Sequence, residues 1–238
     1  MKTLSGLRLS WPASCEICAR WPARPVCAAC LERHGRTTLR CPGCALPMAP
    51  GLPRCLRCRE AGPGRLHRCL ARVDYAHPWS GLVARLKREP AWARQLAQLL
   101  ADTPGLPELL DEVDLIAPVP LSHDRLRERG YNQAWELVRH LRRLLPGSAL
   151  AVPDLLLRHE NAGVQHELER AQRFANMERA YTVAPARRSR LPRDHVLLVD
   201  DVMTTGATLE AAAAVLLEAG AARVSALVFA RTPAPETD

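Results

Sequence analysis

The sequence is short of several features that define large classes of protein. No apolar run approaches the roughly 18 residues of a membrane span. The N-terminal residues lack the long apolar core of a secretory signal. Two phosphate-binding patterns, GxGxxG and GxxxxGK(S/T), do not occur, which excludes a dinucleotide fingerprint and a Walker loop. We therefore expect a cytoplasmic protein without a transmembrane segment.

Lysine is nearly missing as well, since only Lys2 and Lys87 occur. The net charge of +8 at pH 7 is therefore carried almost entirely by arginine. Such a surplus favours a polyanionic partner, and single-stranded DNA is one candidate. A composition rich in arginine, alanine and proline is also typical of a GC-rich genome, so a basic binding surface and a compositional origin both stay open.

The nine cysteines are numerous for a chain expected in a reducing compartment, where disulfides are rare. Eight of them form four CxxC pairs, and each pair can direct two thiolates at one tetrahedral metal ion. The predicted ligands of two structural Zn2+ ions are Cys15, Cys18, Cys27, Cys30, Cys41, Cys44, Cys55 and Cys58. The spacing fits a sequential or an interleaved pairing of the knuckles. Cys69 has no CxxC partner and is predicted to be a buried thiol.

The length of 238 residues allows one domain of ordinary size and a small module. We predict a double zinc-ribbon module over residues 10–62, a larger domain over 68–232 and a disordered tail over 233–238. The glycine- and proline-rich segment EAGPGRLHR separates the first two. The larger domain alternates strand and helix patterns, which predicts an α/β fold with a mostly parallel sheet flanked by helices.

Individual elements of this fold follow from the hydrophobic pattern. Strands are predicted at residues 72–76, 115–121, 155–157, 196–199 and 224–230. Helices are predicted at residues 79–101, interrupted by Pro90, at 131–145 and at 167–179. Parallel strands bring their carboxyl ends to one edge of the sheet, where open α/β folds bind their ligands.

The most informative segment begins at His195 and reads HVLLVDDVMTTGATLEAAAAVLLEAG. The apolar run Val196–Val199 is typical of a strand covered on both faces, and Asp200 and Asp201 follow it directly. The next residues, Thr204–Thr208, offer hydroxyls, small side chains and a glycine ahead of a helix. A helix N-terminus favours a bound phosphate. The segment therefore predicts a phosphate site with two carboxylates at its rim.

Basic residues follow a neighbouring predicted strand, in the stretch SHDRLRERGYNQ. Arg125, Arg127 and Arg129 are predicted to lie in a loop before the next helix. There the planar fork of arginine suits a pyrophosphate group. A solvated basic loop is the alternative. Lys87 is predicted either to contact pyrophosphate or to be solvated on an amphipathic helix.

A few polar and aromatic residues allow two interpretations each. Asn132 and Gln133 are expected to start the following helix, with Asn132 as its cap, or to support the ligand loop. Tyr131, Trp135 and Phe174 are expected to be buried or half-buried, with stacking on the bases of single-stranded nucleic acid as the alternative. The histidines lie at no diagnostic spacing from an acid or a nucleophile, so no catalytic role is assigned to them.

The segment beginning at His195 resembles the signature of type I phosphoribosyltransferases, in which four hydrophobic residues and two acids precede a TTGAT-like loop. The donor of those enzymes is 5-phosphoribosyl-1-pyrophosphate (PRPP), bound with Mg2+. The resemblance implies a type I phosphoribosyltransferase-like sheet. It also implies that Asp200 and Asp201 are catalytic residues that face the ribose hydroxyls. The ligand-binding residues that it implies are Val202, Thr204, Thr205, Gly206, Ala207, Thr208, Arg125, Arg129 and Lys87.

The cysteine-rich start, the stretches LVARLKRE and VPLSHDRLRERGYNQ, and a later motif together resemble the ComF family over nearly the whole chain. The later motif is Gln165, Leu168, Arg173 and Asn176. The resemblance implies DNA uptake during natural transformation, with handling of single-stranded DNA and a helicase-like partner. A catalytically active phosphoribosyltransferase in nucleotide salvage is the alternative, and a PRPP-sensing binding protein is a third reading.

Overall fold

A computed structural model describes residues 13–62, 64–145, 147–159, 180–191 and 193–234 of the chain. These residues form two compact units, which divide between Arg36 and Thr37. The predicted domain limits of 10–62, 68–232 and 233–238 stay predictions. Most of the predicted tail lies outside the described residues.

The smaller unit consists of a CxxC turn followed by a short helix. Ala13 and Ala23 form an antiparallel bridge on either side of this turn. Helix α1, Ala28–His34, begins directly after Cys27. The buried centre of the unit contains few side chains, namely Cys15, Cys27 and Cys30 with Ile17, Ala23 and Val26 around them. So small an apolar centre makes metal ligation the expected source of its stability.

The larger unit is built on a parallel sheet of five strands. The strands of the unit are β1 (Cys69–Asp74), β2 (Leu115–Pro118), β3 (Leu150–Ala151), β4 (Leu156–Arg158), β5 (Tyr181–Val183), β6 (His195–Met203) and β7 (Arg223–Arg231). The sheet has the order β1-β7-β6-β2-β3, and all neighbouring strands in it are parallel. Strands β4 and β5 form a separate antiparallel pair. The predicted mostly parallel α/β sheet is therefore confirmed.

Helices connect the strands and flank the sheet. They are α2 (Leu56–Glu60), α3 (Trp79–Leu86), α4 (Trp92–Ala101), α5 (Leu106–Glu112), α6 (His123–Arg129), α7 (Gln133–Leu144) and α8 (Ala207–Glu218). The predicted interruption at Pro90 separates α3 from α4, because proline cannot donate a helical hydrogen bond. A 3-10 helix spans Pro185–Arg190. The predicted helix over 167–179 lies outside the described residues.

The core lies on both faces of the sheet. Val196–Val199 in the middle of β6 have no exposed surface, as expected for a central parallel strand. The second cysteine-rich stretch belongs to this core, since Cys41, Cys44 and Leu46 are part of the same buried cluster as Cys69. The larger unit therefore incorporates a metal-ligand motif into its hydrophobic centre.

Two local predictions near the site need correction. Asp200 and Asp201 lie within β6, because its pairing with β7 continues to Met203, whereas its pairing with β2 ends at Val199. The arginine-rich stretch predicted as a loop forms helix α6, which Ser122 caps by accepting a hydrogen bond from the Arg125 N–H. Helix α5 and strands β3 and β5 have no counterpart among the predicted elements.

Candidate functional site

A cavity of about 220 Å³ opens at the carboxyl ends of β1, β2 and β6. Its wall brings together groups from three distant stretches of the chain: the acidic pair, the basic residues and the threonines after β6. This is the edge of the sheet at which open α/β folds bind ligands. The segments that the sequence singled out therefore meet at one place.

The acidic pair lines the cavity together with Val202. Asp201 is 5% exposed; its Oδ2 lies 3.1 Å from the Lys87 Nζ, and its Oδ1 accepts a hydrogen bond of 3.3 Å from the Gln133 side chain. Burial and the neighbouring Asp201 carboxylate raise the pKa of Asp200 well above its ordinary value. The two carboxyl groups therefore do not readily ionise together, and a cation bound between them would favour the doubly ionised pair.

The basic wall comes from one face of α6. Arg125 and Arg129 are four residues apart, so they lie on the same side of the helix and both line the cavity. Arg127 lies on another face, and its Nη1 is 4.0 Å from a carboxylate oxygen of Asp124. Arg129 also donates to the Gln133 side chain at 2.9 Å. The helix therefore explains why two of the three predicted arginines reach the site.

Asn132 caps helix α7, as predicted, and its side chain also bonds to the stretch that follows β2. Its Oδ1 accepts from the N–H groups of Ala134 and Trp135 at the start of α7. Its Nδ2 donates to the carbonyl of Val119 at 3.0 Å, which fixes the stretch that follows β2 and lines the cavity. The cap thereby ties helix α7 to the site. Trp135 is half-buried.

Tyr75 and Arg158 also line the cavity and were not predicted from the sequence, whereas Gln133 was named with Asn132 as possible support for the ligand loop. Gln133 bridges the arginine wall and the acidic pair through the two hydrogen bonds given above. The signal for its place in the site was its position in the motif RGYNQ. Tyr75 and Arg158 follow or end short strands far apart in the chain, and their sequence surroundings carry no motif.

The threonine loop, defined as Thr204–Thr208, connects β6 to helix α8. Thr204 and Thr208 line the cavity. The Thr205 hydroxyl instead accepts from the Ala207 N–H at 3.3 Å and shapes the turn. Gly206 has φ +90°, a backbone conformation that other residues adopt only with strain, so glycine is favoured there. Helix α8 begins at Ala207 and directs its N-terminal dipole toward the loop.

Two four-cysteine clusters are the candidate metal centres. Within each, the four Sγ atoms lie within 4.8 Å of one another. The first cluster is Cys15, Cys18, Cys27 and Cys30, and the second cluster is Cys41, Cys44, Cys55 and Cys58. The knuckles therefore pair sequentially. Thiolates at tetrahedral spacing are the donor set of structural zinc, so both clusters fit the predicted ion.

The first cysteine of each cluster is biased toward the thiolate, whereas burial and the neighbouring sulfurs raise the pKa of Cys30, Cys44 and Cys58. Burial raises the pKa of Cys15, but hydrogen bonds led by the Cys27 N–H outweigh it and lower that pKa to about 6. In the second cluster, donors led by the Cys55 N–H likewise outweigh burial and lower the pKa of Cys41 to about 7. Cys69 is buried and belongs to neither cluster in the described residues, as predicted, and burial raises its pKa to about 12.

His195 lies at the amino end of β6, at the edge of the sheet opposite the cavity. It is 1% exposed, its Nε2 lies 2.8 Å from the Ser225 hydroxyl, and its Nδ1 lies 3.2 Å from the Glu112 carbonyl. Burial lowers the pKa of His195. Its two ring nitrogens therefore connect β6 to β7 and to the end of helix α5. Phe174 and the motif of residues 165–176 lie outside the described residues.

Comparisons with known proteins agree with this arrangement. A family model described as phosphoribosyl transferase domain matches residues 150–238. The DNA utilization protein YhgH of Salmonella typhimurium is 34% identical, covering 94% of this chain and 99% of that protein. Competence protein F of Haemophilus influenzae is 33% identical over 66% of this chain and 69% of its own length. Competence protein ComFC of Bacillus subtilis is 33% identical over 51% of this chain and 46% of its own length.

Among the described residues, no helix is both long enough and apolar enough to cross a bilayer.

Proposed function

The chain belongs to the ComF family, and we propose that it binds PRPP with Mg2+ in the cavity at the threonine loop and acts on single-stranded DNA during DNA uptake. The observation that carries the first part is the convergence of Lys87, Arg125, Asp201 and Thr208 on one cavity. The names of the relatives, DNA utilization protein and competence protein, support the second part. The cytoplasm, which keeps cysteine thiolates reduced, is the compartment that we propose.

The charge of the cavity supports an anionic ligand. Four cationic side chains and two carboxylates line it, and the cations include Arg158 from strand β4. A compound with a phosphate at one end and a pyrophosphate at the other matches this excess of positive charge. We assign the 5-phosphate to the threonine loop and the start of α8, and the pyrophosphate to Arg125 and Arg129.

Mg2+ fits the acidic pair. Hard divalent cations prefer carboxylate oxygens, and a cation would relieve the repulsion that raises the pKa of Asp200. Asp200 and Asp201 are the residues that would hold it, together with oxygens of the ligand. When bound, Mg2+ would neutralise charge on the pyrophosphate.

The protein's own groups would act mainly by holding the donor. Thr204 and Thr208 would bind the 5-phosphate, and the acidic pair would orient the ribose hydroxyls. Gln133 and Lys87 would keep Asp201 in place. If a nitrogen nucleophile attacks the sugar, Arg125 and Arg129 would stabilise the departing pyrophosphate. Turnover is thus a second candidate function, favoured by the proximity of cations to the acidic pair.

Isothermal titration calorimetry tests the ligand. Wild-type protein should bind PRPP with Mg2+, and ribose 5-phosphate more weakly. Thr208→Val removes a hydroxyl from the phosphate end, so both ligands should weaken similarly, by about ten- to hundredfold. Asp201→Asn should weaken magnesium-PRPP much more than ribose 5-phosphate.

The outcomes separate binding from catalysis. If wild-type protein binds neither ligand at millimolar concentration with Mg2+, the proposed site is wrong. A pyrophosphate-release assay against a panel of bases then distinguishes a binding protein from a salvage enzyme.

Binding of single-stranded DNA is tested by its salt dependence. Arginines cluster at residues 125–129, 139–143 and 187–193, and the last two clusters are partly neutralised, because Arg139 pairs with Glu136 and Arg187 with Asp154. Contacts to phosphates by the remaining arginines should still make affinity fall by orders of magnitude between about 50 and 200 mM salt, if about six phosphates are contacted. Fluorescence anisotropy with labelled oligonucleotides measures this. Affinity that is flat in salt, or specific for base sequence, would contradict the proposal.

A further inference from the structure

Arg231, the last residue of β7, connects the second cluster to the threonine loop. It is 1% exposed. Its Nε donates to the carbonyl of Cys44 at 2.8 Å. Its Nη1 donates to the carbonyl of Met203 at 3.1 Å and also to the carbonyl of Thr204. One buried guanidinium therefore contacts a cysteine knuckle and the entry to the loop at the same time.

Arg57 makes a second connection of the same kind. It lies in helix α2, whose first turn follows the ligand Cys55. Its Nη2 donates to the carbonyl of Thr205 at 3.4 Å on the protein surface. Three successive carbonyls, those of residues 203–205, are thus bound by arginines anchored at the second cluster.

Holding these carbonyls also sets the direction of the loop's N–H groups. In a trans peptide the N–H points opposite to the C=O of the same unit. With the carbonyls of residues 203–205 directed at Arg57 and Arg231, the N–H groups of Thr204, Thr205 and Gly206 point away from the second cluster. Successive N–H groups directed to one side form a concave binding place for an anion.

The loop has little freedom to keep this shape by itself. Gly206 has φ +90° and lies against the Met203 side chain, whose sulfur is 3.5 Å from the Cys69 thiol. Cys69 in turn donates its N–H to the carbonyl of Pro42, inside the CxxC turn of Cys41 and Cys44. The same turn therefore supports the loop through both Arg231 and Cys69.

On the basis of the phosphate site proposed above, we propose that Arg231 is a positioning residue. Through Arg231, metal binding in the second cluster sets the anion affinity of the threonine loop. Metal held by the second cluster fixes the Cys44 carbonyl and the start of α2, and these fix the loop carbonyls. Loss of the metal releases both anchors. By linkage, a phosphate in the loop raises the affinity of the second cluster for zinc by the same factor.

Zinc affinity with and without ribose 5-phosphate tests this linkage. The Cys15→Ser/Cys18→Ser double variant keeps only the second cluster as a zinc site, and its zinc dissociation constant is measured by competition with a chromogenic chelator. Saturating ribose 5-phosphate should lower that constant by about fivefold or more. The Cys41→Ser/Cys44→Ser variant keeps only the first cluster, and its dissociation constant for ribose 5-phosphate should rise, because the loop loses its anchors. A wild-type dissociation constant in this variant would overturn the inference.

Arg231→Lys tests the residue itself. Lysine keeps the charge but loses the planar fork, so the dissociation constant for ribose 5-phosphate should rise about tenfold and the linkage should disappear. His195→Gln is the matched control, because it weakens the same unit at the opposite edge of the sheet and should leave both quantities unchanged. If Arg231→Lys does not fold, the exposed Arg57→Ala variant should show the same loss to a smaller degree, about threefold, since it removes one weaker hydrogen bond.

The possible failures are distinguishable. If wild-type protein binds ribose 5-phosphate but its zinc affinity does not change, the positioning role is wrong and the proposed phosphate site stands. If His195→Gln weakens ligand binding as much as Arg231→Lys does, general destabilisation explains the effect and the inference is overturned. If ribose 5-phosphate does not bind at all, the proposed site is refuted, and the linkage with it.

Discussion

The first and second clusters share one local design. In each, a CxxC turn is followed by an alanine with positive φ, 58° at Ala19 and 56° at Ala45. In each, the second pair begins a short helix, and the N–H of its first cysteine donates to the first sulfur of the cluster. These bonds are 3.4 Å from Cys27 to Cys15 and 3.3 Å from Cys55 to Cys41. The chain therefore contains the same metal knuckle twice.

The surroundings of the two clusters differ. The first has an apolar centre made largely of its own cysteines. The second shares a core with the parallel sheet and is tied to β1 by an ion pair between Arg40 and Asp74, 2.9 Å apart. The same motif thus serves as the centre of a small unit in one case and as part of a domain core in the other. Loss of metal from the first cluster should therefore affect only the smaller unit, whereas loss from the second cluster should destabilise the larger unit.

The largest expected effect comes from breaking each cluster in turn. Cys41→Ser/Cys44→Ser should destabilise the larger unit by about 4 kcal/mol or more, because it removes a metal and places hydroxyls in the core. That corresponds to a thermal midpoint lower by about 10 °C. Circular dichroism melting measures the midpoint, and elemental analysis should fall from two zinc ions per chain to one.

Cys15→Ser/Cys18→Ser is the matched variant. It should lose one zinc ion as well, yet leave the main unfolding transition of the larger unit in place. Equal shifts of that transition in both double variants would show that the two surroundings are equivalent, which would contradict the comparison.

Asp200→Asn should change stability and ligand binding in the larger unit in opposite directions. The folded state holds the Asp200 proton more tightly than the unfolded chain does, so this group lowers stability as pH rises above about 4. At pH 7.5, Asp200→Asn should raise the free energy of unfolding measured by urea denaturation, because an amide is not penalised by burial and by the Asp201 carboxylate. It should also weaken magnesium-PRPP binding. The Cys41→Ser/Cys44→Ser variant should instead lose both stability and ligand binding. The difference in free energy of unfolding between Asp200→Asn and wild type should shrink toward pH 4. A difference that stays constant would refute this explanation.

His195→Gln should give the smallest effect, a loss of about 1 kcal/mol at pH 7.5 without any change in phosphate binding. Because burial lowers the pKa of His195, its contribution to stability is complete above about pH 6.5 and is lost as pH falls. The difference from wild type should therefore narrow between pH 7.5 and 5.5. Acid release of zinc affects both proteins equally and cancels in the difference. A gap that widens on acidification would show that the histidine is charged when folded.

The parts of this fold that the sequence predicted are those encoded by neighbouring residues. The CxxC pairs and the stretch from Asp200 to Thr208 are contiguous, so their local geometry follows from residue type and spacing. The pairing of the knuckles was left open, because it depends on how the chain folds back. It could be decided only by the structure, which pairs them sequentially.

The unpredicted parts depend on contacts between distant residues or on weak local signals. Arg231 reaches Cys44 across 187 positions, and nothing near either residue indicates it. Helix α6 is short and charged, so its hydrophobic pattern is poor; only Ser122 before it and Gly130 after it mark its ends. Asp200 and Asp201 end the apolar run, so the sequence predicts that β6 ends at Val199. The strand continues to Met203 because it stays paired with β7.

The acceptors that Arg231 uses have a consequence for sequence variation. Its partners are main-chain carbonyls, which every amino acid provides. A substitution at position 44, 203 or 204 therefore leaves in place the carbonyl that the Arg231 guanidinium binds, whatever else it changes. Correlated substitutions between these positions and Arg231 are then not expected among relatives. The connection is preserved by the path of the backbone, so an insertion or deletion between Cys41 and Cys55 should disturb the loop more than most substitutions there.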